Sequence, residues 1–276
     1  MTGRKVGFIG TGTITDAIVR GLLREPAALS RVLVSPRNAE VAAKLATDFS
    51  SVTVAADNHS IVKGCDTVVL AVRPQIAKDV VRSLPFRNGQ TVISVMAATD
   101  RATLIDWIGS NVRLTQAIPL PFVAERRGIT AVYPRDPETA AIFKVLGGVV
   151  QCDSGKEYEL LAAASSLMAT YFGIMHGASE WLAWKGLSRD KARSYLAPLF
   201  TELSRVALDA PSGVPFAELS RAFATRGGLN EQVLGDFEKH GGADALKTAL
   251  DHVLARIEKG FPPEHVKLKR SAACTQ

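Results

Sequence analysis

Up to about residue 151 the chain alternates two rhythms. Short apolar runs of three to seven residues are separated by longer stretches in which apolar residues return every three or four positions. The first rhythm predicts strands and the second helices. Strands are expected at residues 6–9, 31–34, 52–54, 66–72, 90–95, 113–118, 128–133 and 149–151. Residues 66–72 are apolar almost throughout, as in a parallel strand covered on both faces. Helices are expected at 13–24 and 39–49, after Asp57 as an N-cap, from Pro74 as a first helical residue, after Asp100 through 107, and at 140–146. Strands alternating with helices imply a doubly wound α/β sheet with right-handed crossovers.

From Asp153 onward only the helical rhythm remains. A long apolar helix is expected over 157–184, stopped by Gly186. A second runs from a Ser188 cap to about 209, with a kink at Pro198. A short helix follows at 215–224. After the Gly227-Gly228 turn, Asn230 opens another, and 243–259 closes the series before Gly260. The expected domains are 1–152 for the sheet, 153–260 for the helices and 261–276 for a loose tail beyond Phe261-Pro262-Pro263.

Composition narrows the class without changing this plan. The chain has 276 residues, 47% hydrophobic and 22% charged, the balance of a soluble globular protein. Its formal charge of +6 is spread out, and the one basic cluster, Lys267-Leu268-Lys269-Arg270, reads as a solvated tail, not a nucleic-acid site. Cys65, Cys152 and Cys274 are odd in number and far apart, so they form neither a disulfide framework nor a zinc site. A reducing, cytoplasmic setting is expected. Residues 3–5 lead straight into the first strand without a secretory signal. Residues 160–179 carry no charge and are long enough to span a bilayer. They are rich in Ala, Ser and Gly and contain His176, which favours a helix buried between subunits over a membrane span. No metal site is expected.

Chemistry enters at Gly7-Phe8-Ile9-Gly10-Thr11-Gly12-Thr13-Ile14-Thr15. Two glycines spaced i, i+2 sit between a strand and a helix, the unit that holds a dinucleotide pyrophosphate. Gly10 serves the tight turn, Gly12 lets the backbone approach the phosphates, and the first turn at Thr13 and Ile14 offers free N–H groups. Thr15 stands where the third glycine of the pattern would be. At the end of the second strand an NAD-specific fold places an acid for the ribose 2′-hydroxyl. Here none occurs before Glu40, and the loop offers Ser35, Arg37 and Asn38 instead. A planar guanidinium suits a 2′-phosphate, so NADP(H) is the expected cofactor, with NADH possible.

Two of these stretches, Gly7-Phe8-Ile9-Gly10-Thr11-Gly12 and Val34-Ser35-Pro36-Arg37, with Ala71-Val72-Arg73-Pro74-Gln75 and Ile93-Ser94-Val95-Met96-Ala97, make the chain resemble the pyrroline-5-carboxylate reductase family. Lys185-Gly186-Leu187-Ser188-Arg189 and Thr225-Arg226-Gly227-Gly228 extend the resemblance into the helical half. It implies a Rossmann-type NADP-binding domain followed by an all-helical domain that makes homodimers or higher homo-oligomers. It also implies NAD(P)H-dependent reduction of a cyclic imine to proline, with Ala71, Val72, Arg73, Pro74 and Ala97 along the cofactor.

The substrate half departs from the family pattern. The chain has Ile118-Pro119-Leu120-Pro121-Phe122 for Met-Pro-Asn-Thr-Pro, and Ala164-Ser165-Ser166-Leu167-Met168-Ala169 for Ser-Gly-Ser-Gly-Pro-Ala. It has Gly227-Gly228-Leu229-Asn230 for Gly-Gly-Thr-Thr. Leu120, Leu229 and Met168 suit a less polar substrate. Ser166 and Thr170, one turn apart, are the first catalytic candidates. His176 is a candidate proton donor against a buried structural role, and Asn230 a substrate contact against a helix N-cap. Two other readings stand beside the reductase: a cofactor-binding sensor or partner protein, and a hydroxyacid-type dehydrogenase. The latter is disfavoured because the first long helix lacks a lysine between Lys156 and Lys185.

Overall fold

The computed structural model describes residues 5–24, 27–29, 31–97 and 99–259. The expected tail, its basic cluster and Cys274 lie outside these. Packing divides the chain into two units, one running to Ala162 and resuming at Leu254, the other Ala163–Val253.

The first unit is built on β1 (Lys5–Ile9), β2 (Arg31–Val34), β3 (Val52–Val54), β4 (Thr67–Leu70), β5 (Thr91–Ser94), β6 (Arg113–Pro119), β7 (Gly128–Tyr133) and β8 (Gly147–Gln151). They form one sheet in the order β3-β2-β1-β4-β5-β6-β7-β8. Six of them, β1 to β6, are parallel, with Phe8 opposite Val34 and Val69. Chain order reverses between β1 and β4, so a crevice opens there at the carboxyl ends of the strands. The helices are α1 (Thr13–Leu23), α2 (Ala39–Asp48), α3 (Asn58–Gly64), α4 (Pro74–Arg82), α5 (Arg101–Ile108), α6 (Pro137–Lys144) and α7 (Gly155–Ala164), whose last two residues belong to the second unit. Alternation along the strands feeds two cores. Val6, Phe8, Val32, Val34 and Ile93 pack with Ile18 and Leu22 of α1, Leu45 of α2 and Phe143 of α6. Ile9, Val68, Leu70 and Val92 pack with Ile61 of α3, Val81 of α4 and Leu104 of α5. β4 and β5 are buried at every position, as strands sandwiched between helices require.

Three features differ from the sequence expectation. β7 runs antiparallel to β6. Only a 3-10 turn, Pro121–Glu125, joins them, too short for the crossover that parallel strands need. Helix α6 starts at Pro137, ahead of the expected 140. Asp136 caps it, accepting from the Glu138 and Thr139 N–H groups at 2.8 and 2.9 Å.

Asp136 also accepts from Arg113 Nη2 at 3.1 Å. Burial opposes its ionisation, but the Thr139 N–H, the Arg113 guanidinium and the Glu138 N–H together hold the carboxyl below its ordinary value of 3.8. A carboxylate with a depressed folded pKa stabilises above the unfolded-state pKa, and that contribution fades as pH falls through the folded one. Asp136→Ala should therefore cost about 1 kcal/mol in urea unfolding at pH 7. The deficit should shrink as the titration is repeated at progressively more acidic pH below 3.8.

The third difference opens the second unit. The expected single helix over 157–184 is broken after α7, and α8 (Leu167–Trp184) starts anew. At the break the Ser166 N–H and hydroxyl both donate to Ala163 O, at 3.0 and 2.6 Å. A serine bonding its own local backbone competes with helix propagation in this way. Helix α9 (Arg189–Asp209) is capped by Ser188 and passes through Pro198 without ending. It is followed by α10 (Phe216–Phe223), α11 (Leu229–Lys239) and α12 (Gly242–Lys259). Gly228 caps α11, so Asn230 is inside the helix and is not its cap.

Candidate functional site

Every expected cofactor residue is in the first unit, at the carboxyl ends of β1, β2, β4 and β5. Gly10 leaves β1 with φ +98°, and a Cβ there would stand 2.4 Å from Ala71 O. The backbone after β4 is held this close by Ala71 N donating to Ile9 O at 2.8 Å. At Gly12, which caps α1, a Cβ would meet no heavy atom within 4 Å. Gly12 has no side-chain acceptor for the first-turn N–H groups of α1. The result is a cradle with donors and open space, the combination a pyrophosphate requires. One acid, Asp16, lies in that turn. Arg20 Nε holds both its oxygens at 3.0 Å and reaches Asp48 through Nη2 at 2.8 Å. These carboxylates raise the Arg20 pKa and leave the Asp16 charge countered.

The turn is fixed by hydroxyls. Thr15 Oγ1 donates to Gly10 O at 2.6 Å, which gives the residue in the third-glycine place a role of its own. Gly10 N donates to Ser35 Oγ at 3.0 Å, and Thr11 Oγ1 donates to Ser35 O at 2.7 Å. The two hydroxyl oxygens are 3.0 Å apart. Ser35 and Thr11 are buried, at 1% and 3% exposure. Beyond Ser35, Arg37 and Asn38 are exposed, and Asn38 makes no side-chain cap on α2. Among the described residues Arg37 has neither an ion-pair nor a hydrogen-bond partner. Thr13 is exposed and Ile14 half-buried, facing the first core.

On the other side of the crevice, Val72 is buried, Ala71 half-buried and Arg73 exposed as the cap of α4, with Pro74 at its first position. The neighbouring loop after β5 is tied down at both ends. Met96 N donates to Ser94 Oγ at 3.3 Å, and Gln116 Nε2, buried on β6, donates to Thr99 O at 2.9 Å. Ala97 is exposed between them. Sequence reasoning passed over Thr11 and Gln116. Nothing in their local spacing marks them, since each works across the sheet. Cys65 contributes no nucleophile: burial pushes its thiol up to about 11.

The four catalytic candidates all belong to the second unit. Ser166 and Thr170 are exposed and share a face at the start of α8. His176 is exposed within this chain as well. At 3.6 residues per turn it lies about 120° around the helix from Thr170, so α8 does not gather the three. Asn230 Nδ2 donates to Phe223 O at 2.9 Å, which leaves its carbonyl oxygen to face outward chemistry. Beside it, a groove of about 320 Å³ follows α11 from Gly227 and Gly228 past Glu231 and Asp236 to Lys239.

A family model described as NADP oxidoreductase coenzyme F420-dependent matches residues 5–98. The pyrroline-5-carboxylate reductase of Pseudomonas aeruginosa is 26% identical over 261 residues, covering 91% of this chain and 94% of that protein. The enzyme of the same name from Vibrio alginolyticus is 24% identical, covering 94% of this chain and 98% of that one. Among solved structures, the Plasmodium falciparum pyrroline carboxylate reductase with NADP bound has the same fold. It superposes with a TM-score of 0.80 at 17% identity over 94% of this chain and 98% of that one.

Proposed function

We propose that this chain is a member of the pyrroline-5-carboxylate reductase family and an NADPH-dependent reductase of a cyclic imine, pyrroline-5-carboxylate or a close analogue. The observation that carries the reading is the nearly end-to-end match with the Pseudomonas enzyme, which takes in both units. The Gly10–Gly12 cradle fits the cofactor the family uses, because donors and open space coincide there.

When bound, NADPH supplies a hydride to the imine carbon. The chain itself has to bind, orient and handle one proton. The first turn of α1 would hold the pyrophosphate through its N–H groups. Arg37 would clamp the 2′-phosphate, with Asn38 beside it. Ala71, Val72, Pro74 and Ala97 would line the nicotinamide half. In the helical unit, Ser166, Thr170 and Asn230 are the proposed substrate contacts and His176 the proposed proton donor. Leu120 stands where the family has an asparagine, and Leu229 where it has a threonine. Both changes favour a less polar ring than pyrroline-5-carboxylate.

The test follows NADPH oxidation with pyrroline-5-carboxylate and a panel of cyclic imines without the carboxylate. Turnover of any of them supports the reductase. Tight NADPH binding with no turnover of any would favour the sensor. Arg37→Ala should lower kcat/KM for NADPH tenfold or more, the worth of a charge-assisted bond, while leaving NADH within about twofold. Equal losses with both cofactors would remove Arg37 from the 2′-phosphate site.

We also propose a homodimer or higher homo-oligomer formed through the helical unit, without membrane or nucleic acid as partner, and a cytoplasmic setting. Helix α8 is mostly apolar yet has no buried residue, and Phe172, Trp184 and Leu229 are 63%, 77% and 81% exposed. Gly155–Trp184 is also the one stretch among the described residues long and apolar enough to cross a membrane. Large apolar side chains exposed along one helix need an apolar surrounding, and a second copy of the same unit supplies one.

A further inference from the structure

We infer that Ser35 and Thr11 are positioning residues that hold the glycine turn for either cofactor, and that Ser35 does not contact the 2′-phosphate. The inference rests on the proposed NADPH site and concerns how its parts divide the work. It follows from counting hydrogens. A serine or threonine hydroxyl has one hydrogen to donate. The Gly10 N–H occupies one acceptor position on Ser35 Oγ at 3.0 Å. The Thr11 hydroxyl hydrogen goes to Ser35 O at 2.7 Å. In the 3.0 Å contact between the two hydroxyls the remaining hydrogen, that of Ser35, must therefore point at Thr11 Oγ1. The chain of donors closes on itself: Gly10 N–H to Ser35 Oγ–H to Thr11 Oγ1–H to Ser35 carbonyl. Both hydroxyls are buried, at 1% and 3% exposure, with no hydrogen left over. A phosphate dianion offers only acceptors, so Ser35 has nothing to give it. Discrimination between NADPH and NADH falls to Arg37 and Asn38, which are exposed one and two residues past Pro36. What the Ser35–Thr11 pair controls is Gly10, whose N–H it fixes while Thr15 holds the Gly10 carbonyl. That peptide sets where Gly12 and the first turn of α1 stand, and both cofactors need those equally.

The experiment is a fluorescence titration of the reduced nicotinamide, with NADPH and with NADH, on full-length wild type, Ser35→Ala, Thr11→Val, Thr11→Ser and Arg37→Ala. Loss of one buried bond in Ser35→Ala or Thr11→Val should weaken both cofactors about tenfold, with the NADPH to NADH ratio within twofold of wild type. Thr11→Ser, which keeps the hydroxyl, should bind both cofactors more tightly than Thr11→Val. Arg37→Ala should change the ratio. A selective loss of NADPH in Ser35→Ala would make the serine a direct phosphate ligand and overturn the inference, as would no effect on either cofactor. Ser35→Ala deletes a single oxygen, so it keeps the test decisive if Thr11→Val does not fold. Failure of wild type to bind either cofactor would instead refute the cofactor site itself.

Discussion

Gly10→Ala should raise the NADPH dissociation constant at least a hundredfold and lower the midpoint of urea unfolding. Two costs add. At φ +98° an L-residue is strained by about 1–2 kcal/mol. The new methyl would also stand 2.4 Å from Ala71 O, so either the turn or the strand end after β4 must move. Both line the crevice, and a displacement of either misplaces the phosphate donors. Gly12→Ala is the informative contrast. Its Cβ meets nothing in the protein within 4 Å and its φ of −102° is ordinary. That variant should unfold at the wild-type urea midpoint yet bind NADPH at least tenfold more weakly, because the methyl occupies ligand space. Parallel losses of stability and binding in both variants would mean that Gly12 is structural and that the cradle lies elsewhere.

The contrast also shows where sequence reading reaches its limit. Gly10, Gly12, the missing acid after β2, the Asp57 and Asp100 caps and Pro74 at the start of α4 are local signals. Each reflects a steric or hydrogen-bonding need met within a few residues, and spacing alone reveals them. The antiparallel turn into β7 was hidden because 128–133 has the composition of any buried strand. Direction is set by the short Pro121–Glu125 link, whose single proline does not announce a hairpin. The break between α7 and α8 was hidden by continuous apolar periodicity, which Ser166 interrupts through hydrogen bonding and not through polarity. Ser35 was legible as a residue but not in its contacts. Its neighbours Arg37 and Asn38 suggested a phosphate loop, and only the fold shows its hydroxyl turned toward Gly10 and Thr11. On the substrate side the sequence showed which family residues are replaced. It did not show that the Asn230 amide is already committed to Phe223 O.

Phe172→Glu combined with Trp184→Glu should convert the wild-type assembly to monomers and abolish turnover. The reading that the helical unit pairs with a second copy rests on its exposed apolar residues. Its buried apolar residues are Ala163, Ala192 and Leu196, whereas Phe172, Ile174, Trp181, Trp184, Tyr195 and Leu208 are all exposed. A large apolar side chain moved from water into an interface contributes about 2 kcal/mol. Two such changes in each of two chains, before the cost of burying carboxylates, raise the dimer dissociation constant by a thousandfold or more. Sedimentation at micromolar concentration reads the assembly directly. Wild type should run at twice the monomer mass or a multiple of it, and the double variant at the monomer mass. NADPH titration then separates the two units. The proposed cofactor residues, within 10–14, 35–38, 71–74 and 97, all lie in the first unit, so the monomeric variant should bind NADPH within about threefold of wild type while turning over no imine. A wild-type monomer that reduces imines would overturn the assembly reading and leave the apolar helices unexplained. Loss of NADPH binding in a monomeric but folded variant would place part of the cofactor site in the helical unit.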